Sequence, residues 1–272
     1  FLAVCAILNI VLDLWFVLGL SWGVKGAAFA TVISQYVSGI GLAAYTYIRL
    51  PDFRLGRKYL SPKFSMIKEI AQFSFLTSLQ QSVMNLGILM VQGLVNSFGT
   101  VIMAAFAAAV KIDSFAYMPV QDFGNAFSTF VAQNFGARKE ERIRKGMKQA
   151  AAMAIAFCLV ISLLVFVFAR PLMMIFVEAR ETEILRAGVE YLRIEGTFYC
   201  GIGCLFLLYG FYRAVKLPAM SVVLTVISLG TRVALAYLLS SIDFIGVTGI
   251  WLSVPIGWAL ADIVGFLYYR KH

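Results

Sequence analysis

Two stretches of the chain decide its fold: GVKGAAFATVIS at residues 23–34 and GVTGIWLSVPIG at residues 246–257. The second begins 223 positions after the first, at 246 against 23, and both share Gly-Val-x-Gly and an isoleucine ten residues after the first glycine. Each follows an apolar run of helix length and opens another. An echo of such long period in a hydrophobic chain predicts a duplicated membrane bundle, an architecture common among secondary transporters.

The repeat also predicts where the first copy begins. The second copy starts near Ser61, so the first is expected to begin about 160 residues before Phe1. Phe1 is not an initiator methionine, and no charged leader precedes its apolar run, which argues against a signal peptide. We therefore expect the chain to hold the end of one half and the whole of the next.

Composition assigns the class of protein. Hydrophobic residues make up 61% of the chain, charged residues 14%, and the mean hydropathy is +0.86. A soluble domain usually carries about 25% charged residues, so these values indicate a polytopic helical membrane protein. The alternatives are a very apolar soluble helical protein, which the repeated spanning-length runs disfavour, and a β-barrel, which would need short alternating segments.

Eight apolar runs are long enough to cross a bilayer. They lie at approximately 1–20, 24–48, 70–98, 101–135, 148–176, 186–212, 218–241 and 247–269. The third, fourth and fifth exceed the roughly 20 residues that a bilayer needs, so we expect them to tilt, kink or project into water. Pro119 and Gly124 mark the expected kink in the fourth. The predicted fold class is an all-α polytopic membrane protein with eight transmembrane helices.

The 23 basic residues are concentrated in alternate connections between these spans. Those connections hold Arg49, Arg54, Arg57, Lys58, Lys63 and Lys68, then Arg138, Lys139, Arg142, Arg144, Lys145 and Lys148, then Arg213 and Lys216, and finally Arg270 and Lys271. The positive-inside rule then predicts that residues 49–69 and the C-terminus face the cytoplasm. The predicted location of the protein is the inner membrane of the cell. A net charge of +9 distributed in this way indicates topology and anionic lipid headgroups, and it argues against nucleic acid.

A polar and basic break at residues 49–69 divides the chain. The segment RLPDFRLGRKYLSPKFSMIKE contains two prolines and turns amphipathic near its end. We expect a cytoplasmic linker that ends in a short interfacial helix. Residues 1–48 are then the last two helices of an N-terminal bundle, and residues 70–272 form a six-helix C-terminal bundle.

The chain shows no sequence signature of an enzyme or of a cofactor. Four cysteines, Cys5, Cys158, Cys200 and Cys204, all fall within spans, and the one histidine is the terminal His272. A metal site would need further ligands, so the cysteines are interpreted as small packing residues. No P-loop, nucleophile motif or paired-carboxylate hydrolase site is present. We expect no enzyme activity, no bound metal and no cofactor other than a coupling ion.

The sharpest candidate site lies on the first two spans. Asp13 is a carboxyl group in an apolar run, and Asn9 lies four residues earlier on the same helix face. Thr31 is as far beyond the turn near Trp22 as Asp13 is before it, so both are expected roughly 13 Å below the outer helix ends. Such a cluster suits a proton relay, because burial favours a protonated carboxyl, and the same oxygens suit Na⁺. The alternative is an aspartate that only pins a packed helix pair.

The second copy of the repeat provides an internal comparison. A shift of 223 positions carries Asn9 onto Arg232 and Asp13 onto Ala236. The equivalent carboxyl is therefore absent from the second half, which holds an arginine instead. If Asp13 binds the coupling ion, the two halves are alike in architecture and unequal in chemistry.

Several other polar residues fall inside predicted spans, where an ionisable group is costly. Candidate cavity-lining or substrate-contacting residues are Gln81 and Asn85 on the third span, Lys111, Asp113 and Asp122 on the fourth, and Asp262 on the last. Lys111 and Asp113 are two residues apart and do not pair; they line either a wet interior or the outer mouth of the bundle. Asp262 is interpreted as a partnered structural carboxylate. Glu190, Arg193 and Glu195 are expected near the outer end of the sixth span.

Several motifs resemble the multidrug and toxic compound extrusion (MATE) antiporter family. LNIVLD at 8–13 and GVKGAAFATVISQ at 23–35 look like the family's fifth and sixth helices, and further matches are LVNSFGT at 94–100, VKID at 110–113, FVAQNFGARK at 130–139, and the segment from Tyr209 through Pro218 to Arg232. The resemblance implies twelve helices in two six-helix lobes, of which this chain holds the last eight and lacks the first four. It also implies rocker-type alternating access and the export of organic cations or drugs across a lipid bilayer in exchange for H⁺ or Na⁺.

The resemblance carries over onto particular residues. In many members an Asn and an Asp on the fifth helix and a Thr on the sixth form an ion site, and the matching positions are Asn9, Asp13 and Thr31. Another branch uses acidic residues on the seventh and tenth helices; here Met84 takes the seventh-helix place. With Glu195 expected near the outer end of its helix, this departure favours H⁺ at the first site over a cation in the C-terminal lobe.

Two other functions fit parts of the sequence. A flippase for lipid-linked oligosaccharides or cell-wall precursors would line its cavity with several cationic residues, and Lys111 and Arg232 are the clear mid-span candidates. A non-transporting membrane scaffold would need no carboxylate at mid-membrane. It would tolerate Asp13→Asn in every respect except folding.

Overall fold

The computed structural model describes residues 2–50 and 63–271. The chain divides into two compact units, Phe1–Lys68 and Glu69–His272. Most of the predicted basic linker, residues 51–62, lies outside the described residues. The remainder of its predicted interfacial helix is not a separate element, because the helix that begins at Phe64 continues into the next apolar run.

Apolar runs without internal strand-type alternation form helices throughout the described residues. The bounds are α1 Leu2–Leu14, α2 Gly23–Arg49, α3 Phe64–Asn96, α4 Thr100–Gly136, α5 Glu140–Met173, α6 Thr182–Thr197, α7 Tyr199–Ala214, α8 Pro218–Ser240 and α9 Val247–Lys271, with a π-turn at Trp15–Gly19 that extends α1. Each predicted apolar run is helical. The predicted all-α class is confirmed.

Among the described residues five helices, α2, α4, α5, α8 and α9, are long and apolar enough to cross a membrane, and α6 with α7, bent by 53°, makes a sixth when the pair is counted as one span. The remaining two predicted spans, α1 and α3, do not meet this criterion of length and hydropathy. α1 has only 13 residues before its π-turn, and α3 carries a stripe of glutamine and asparagine side chains that lowers its hydropathy.

The kinks lie elsewhere than the sequence predicts. α4 runs unbroken through Pro119, and Gly124 serves instead as a close contact point for the backbone of α7 at Phe206. α5 breaks at Phe168, whose φ of −97° and ψ of 15° are not helical. Pro171, three residues later, lacks the N–H that would bond back into the preceding turn, which weakens the helix there.

The sequence repeat is also a repeat of backbone geometry. Gly23 and Gly246 have φ values of 53° and 52°, in the left-handed region that glycine adopts without strain. Three residues later, a β-carbon on Gly26 would lie 2.9 Å from the β-carbon of Phe16, and one on Gly249 would lie 2.6 Å from that of Leu239. Phe16 and Leu239 are themselves 223 positions apart. The same glycine therefore seats two successive helices against each other in each copy.

A further pair of repeat-related positions also brings the two helices of each copy into contact. The Cys5 thiol donates to the Ser34 carbonyl at 3.3 Å. Their equivalents one repeat later are Ser228 and Gly257, and the Ser228 carbonyl packs directly on Gly257. The pairs α1–α2 and α8–α9 are thus two copies of one helical hairpin, closed along a face of small residues.

In the second unit, α4 lies against α5, α6 and α7, and α7 connects this group to the α8–α9 hairpin. The largest fully buried side chains include Trp251, Tyr191, Tyr199 and Tyr212. The presence of tyrosines and a tryptophan in the deepest core indicates buried polar partners, because their hydroxyl and indole groups need hydrogen bonds when they leave water.

The close approach at Gly249 makes a testable prediction. Gly249→Ala places a methyl group 2.8 Å from the backbone carbonyl carbon of Leu239, so α8 and α9 must separate. We expect the free energy of unfolding to fall by about 1–3 kcal/mol. The readout is the thermal unfolding midpoint, Tm, of the purified protein.

Gly230→Ala is the matched control, since nothing lies within 4 Å of its added β-carbon. Replacing a glycine inside a helix at such an open position should raise stability by about 0.5–1 kcal/mol. Equal losses in both variants would contradict the close-contact account.

Candidate functional site

Two polar clusters lie in the apolar helices, one in each unit. In the first unit, the Asn9 side-chain amide donates to the Thr31 hydroxyl at 3.5 Å, and that hydroxyl donates to the Ala27 carbonyl at 3.0 Å. The two side chains come from α1 and α2, which the contact at Gly26 holds together. The structure therefore brings Asn9 and Thr31 into contact, whereas the sequence places Thr31 at the depth of Asp13, one turn further along α1.

Asp13 lies one turn after Asn9 and two residues before the start of the π-turn at Trp15. Its Oδ1 atom is buried and has no hydrogen-bond partner among the described residues. A π-turn inserts a residue into the helical register, and such turns are frequent at functional sites. The residue as a whole is half-buried, and an unpartnered carboxylate oxygen is costly in an apolar helix pair.

The second cluster centres on Asp113 of α4. This side chain is only 4% exposed. The Tyr191 hydroxyl donates to its Oδ2 at 3.3 Å, and the Tyr199 hydroxyl donates to its Oδ1. Asp113 thus lies in a dry interior held by two phenolic donors, and the alternative of an outer aqueous mouth is wrong for this residue.

Glu195 of α6 belongs to the same cluster, which corrects the expectation that it lies near the outer end of its span. It is 1% exposed, and Asp113 and Tyr191 are close enough to influence its carboxyl group electrostatically. The reason is that α6 begins at Thr182, earlier than the apolar run, and the span continues past a bend into α7. Glu195 therefore lies close to the bend, in the middle of the span.

Arg232 of α8 supplies the positive charge near these carboxyls. Its charge acts on both Asp113 and Glu195, and its Nε atom is buried without a hydrogen-bond partner among the described residues. Arg232 is the repeat equivalent of Asn9. The second unit thus holds a guanidinium where the first holds an amide, and it takes its carboxyls from α4 and α6.

Aromatic rings close one side of this second cluster. Trp251 stacks on Phe106 with ring centroids 5.6 Å apart, and it meets the Tyr191 ring edge-on at 5.0 Å. All three rings are buried. Packing of this kind fixes the Tyr191 hydroxyl and excludes water, which strengthens the electrostatic interactions inside.

The other predicted residues lie apart from these clusters. Lys111 and Asp122 are exposed, and the Lys111 ammonium lies 5.9 Å from the Phe176 ring centroid. Gln81 and Asn85 are exposed and bond to each other at 3.4 Å. Asp262 is buried, but its Oδ1 atom lacks a hydrogen-bond partner among the described residues, so the expected structural partner is not found there.

Sequence reasoning missed Tyr191 and Tyr199. Tyrosine is common in membrane helices, and neither residue stands out by periodicity. The available signal was the spacing of Tyr191, Glu195 and Tyr199, which are successively four residues apart, a spacing that predicts one helix face. In the structure Tyr199 begins α7, just after the bend.

These features define a polytopic helical membrane protein with an internal repeat and buried ionisable clusters. Comparison with known proteins specifies the family, because residues 73–238 match the sequence profile described as MatE. The chain belongs to this family.

Relatives of known description agree with this assignment. The chain is 29% identical to the probable multidrug resistance protein YpnP of Bacillus subtilis, covering 99% of this chain and 60% of that protein. It is 26% identical to a probable multidrug resistance protein, NorM, of Thermotoga maritima, covering 94% of this chain and 55% of that protein. The chain thus spans less than two thirds of the length of these relatives.

A solved structure gives the same result for the fold. The chain is similar to the crystal structure of a MATE protein in complex with MaD5, with 25% identity and a TM-score of 0.88. The match covers 98% of this chain and 59% of that one. The resemblance that the motifs carry is therefore confirmed at the level of family and fold.

The tyrosine contacts of Asp113 make a stability prediction. Asp113→Ala leaves the buried hydroxyls of Tyr191 and Tyr199 without their acceptor, and an unsatisfied buried donor costs about 1–3 kcal/mol. We expect a loss of about 2 kcal/mol or more, measured as a lowered Tm of the purified protein. Asp113→Asn keeps one acceptor oxygen and should lose less.

Asp122→Ala is the matched control, because Asp122 is an exposed aspartate on the same helix. It should change stability by no more than about 0.5 kcal/mol. Equal effects of the two alanine substitutions would mean that the tyrosine contacts add nothing to stability.

Proposed function

We propose that this protein takes part in secondary active efflux of organic cations or drugs, by antiport with H⁺ or Na⁺. The support is its membership of the MatE family together with a carboxyl group inside an apolar helix pair. Transport would follow alternating access between two lobes, to which residues 1–48 and residues 70–272 contribute. H⁺ is the coupling ion that we favour.

The residues proposed to hold the coupling ion are Asn9, Asp13 and Thr31. Protonated Asp13 is neutral and compatible with a closed apolar site, whereas the ionised form leaves a charge with a buried, unpartnered oxygen. Binding of an organic cation neutralises that negative charge, as binding of a proton does. Competition between proton and cation for one carboxylate couples their movements in opposite directions, because the empty ionised site is unfavourable in the closed state.

Asn9 and Thr31 would tune this exchange. The hydrogen bond between them fixes a neutral amide one helical turn before Asp13. The observation that carries the proposal is the Asn9–Thr31 hydrogen bond one turn from Asp13, whose Oδ1 atom is buried without a hydrogen-bond partner among the described residues.

Two alternatives have less support. A flippase of the same superfold would use cationic side chains to hold anionic headgroups, but Arg232 lies near two carboxyls and Lys111 lies over a phenyl ring. A membrane scaffold offers no reason for buried carboxyls in both units. The partners we propose are therefore a small organic cation or drug and the lipid bilayer, and we propose no enzymatic activity and no cofactor beyond the coupling ion.

Asp13→Asn should abolish gradient-driven uptake of a cationic dye into everted membrane vesicles that carry the complete natural protein, because export across the inverted membrane fills the vesicle lumen. The amide cannot release a proton, so the exchange described above has no ionised state. We expect a loss of at least about tenfold at unchanged protein level. Imposing a pH gradient and a Na⁺ gradient in separate runs identifies the ion.

Asp243→Asn is the matched control, because Asp243 is exposed and lies in the connection between α8 and α9. This substitution should leave dye uptake into the vesicles unchanged. Unchanged dye transport in Asp13→Asn would contradict the assignment of the coupling-ion site to Asp13. Asp113, Asp122 and Asp262 would then be the next candidates. If the unaltered protein moves no dye under either gradient, the flippase is favoured.

We also propose that the protein lies in the inner membrane with residues 49–69 and the C-terminus in the cytoplasm, as the basic connections indicate. Lys145 is exposed near the start of α5. A cysteine placed there should react with a membrane-impermeant maleimide in everted vesicles and not in intact cells. Labelling in intact cells and not in everted vesicles would indicate the opposite topology.

A further inference from the structure

The second unit has a cleft of about 530 Å³ beside the turn between α7 and α8. Its polar lining includes two cations, Arg213 and Lys216, and the hydroxyl groups of Ser128 and Thr129 on α4. Neither hydroxyl makes a hydrogen bond to another of the described residues. Guanidinium, ammonium and hydroxyl groups all donate hydrogen bonds, so this set of side chains suits an oxyanion such as a phosphate.

The Arg213 guanidinium is held in place by two hydrogen bonds. Its Nη2 donates to Asn125 Oδ1 at 3.0 Å, and its Nε donates to the Tyr209 carbonyl at 3.2 Å. Since a guanidinium has five N–H donors, others remain for a ligand. Among the described residues Arg213 makes no ion pair within 4 Å. Its charge is therefore available at the cleft on a side chain that is already oriented.

Lys216 is the second cation, and it is paired with a carboxylate that also lines the cleft. Its Nζ lies 2.7 Å from Glu69 Oε1, with the two side chains 67% and 59% exposed. An ion pair as exposed as this one contributes little to stability, so a stronger oxyanion can displace the carboxylate. Two positive charges and one negative charge leave the cleft with a net charge of about +1.

The rest of the lining is apolar and indicates the kind of phosphate. Ile70 and Phe73 of α3 lie there together with Ala132 and Ala214. Such walls give nothing to a free phosphate ion, whereas the glycerol and acyl chains of a phospholipid bury apolar surface against them. The basic turn between α7 and α8 is also expected on the cytoplasmic side, where basic pockets between membrane helices bind anionic headgroups.

We propose that this cleft binds the phosphate group of an anionic phospholipid of the inner leaflet. Arg213 and Lys216 are its cationic ligands, Ser128 and Thr129 donate to its oxygens, and Glu69 competes with it for Lys216. The assignment goes beyond the proposed efflux and uses only the proposed orientation of the protein in the membrane. Binding in detergent requires neither transport nor orientation, so failure of the assignment and failure of the proposed function are distinguishable.

The test measures Tm of the complete natural protein, purified in detergent, as phosphatidylglycerol is added to the micelles. Phosphatidylcholine at the same mole fraction is the reference lipid, because its headgroup has no net charge. We expect phosphatidylglycerol to raise Tm by about 2–4 °C more than phosphatidylcholine does. Inorganic phosphate at the same concentration should leave Tm unchanged, because it has no apolar part.

Two variants should change this response in opposite directions. Lys216→Gln removes a charged donor and should raise the concentration of phosphatidylglycerol that gives half of the Tm rise by about tenfold. Glu69→Gln removes the competing carboxylate and should lower that concentration by about two- to fivefold.

The Lys145–Glu141 pair on α5 provides matched controls. Its Nζ and Oε1 atoms are 2.8 Å apart, and its side chains are 73% and 82% exposed. Neither residue lines the cleft. Lys145→Gln and Glu141→Gln make the same changes of net charge as the two test variants, and both should respond to phosphatidylglycerol like the unaltered protein.

Three outcomes overturn the proposal. The first is no rise with phosphatidylglycerol beyond that with phosphatidylcholine. The second is an equal loss of the response in Lys216→Gln and Lys145→Gln, which would mean that the lipid senses only net charge. The third is a Tm rise with inorganic phosphate that Lys216→Gln removes, which would assign the cleft to a free phosphate. If Lys216→Gln does not fold, Glu69→Gln decides, because unchanged or weaker binding of phosphatidylglycerol there also contradicts the proposal.

Discussion

A polar group inside an apolar helix bundle must find its partner within the protein, and this constraint organises the molecule. Water is absent from the bilayer core, so an unpaired hydrogen-bonding group there costs several kcal/mol. The Asn9–Thr31 bond and the tyrosines on Asp113 both meet this requirement. The atoms that remain unpaired, such as Asp13 Oδ1 and Glu195 Oε1, are consequently where ions and protons can act.

The glycine repeat provides the scaffold for these clusters. Gly26 and Gly249 allow the start of one helix to touch the end of the preceding helix, and side chains one or two turns away are then held at fixed separation. Asn9 and Arg232 occupy equivalent places on the two hairpins. A duplicated framework can thus hold different chemistry in each half, with an amide beside Asp13 in the first and a guanidinium near two carboxyls in the second.

Local patterns predicted a large part of this structure. The helices follow from the apolar runs, and the repeat follows from the two glycine motifs. The polar residues of α1 and α2 fall near one another because one short turn joins these helices, but the direct contact of Asn9 with Thr31 was not predicted. The second cluster did not follow in the same way, because Asp113, Glu195 and Arg232 come from three helices that only tertiary packing brings together. The bend between α6 and α7 had the largest consequence, since it moves Glu195 from the expected outer end to the middle of its span. The unbroken course of α4 through Pro119 was likewise invisible, because neighbouring helices and side chains can satisfy the freed carbonyl.

The central claim is that a proton exchanges for an organic cation. The most direct measurement uses the complete natural protein in liposomes that contain a pH-sensitive dye, with Na⁺ replaced by choline on both sides. Adding a cationic substrate outside should make the lumen more alkaline, because each entering cation is exchanged for protons that leave. No change of luminal pH in choline, with substrate uptake that appears only when Na⁺ is restored, would contradict the account.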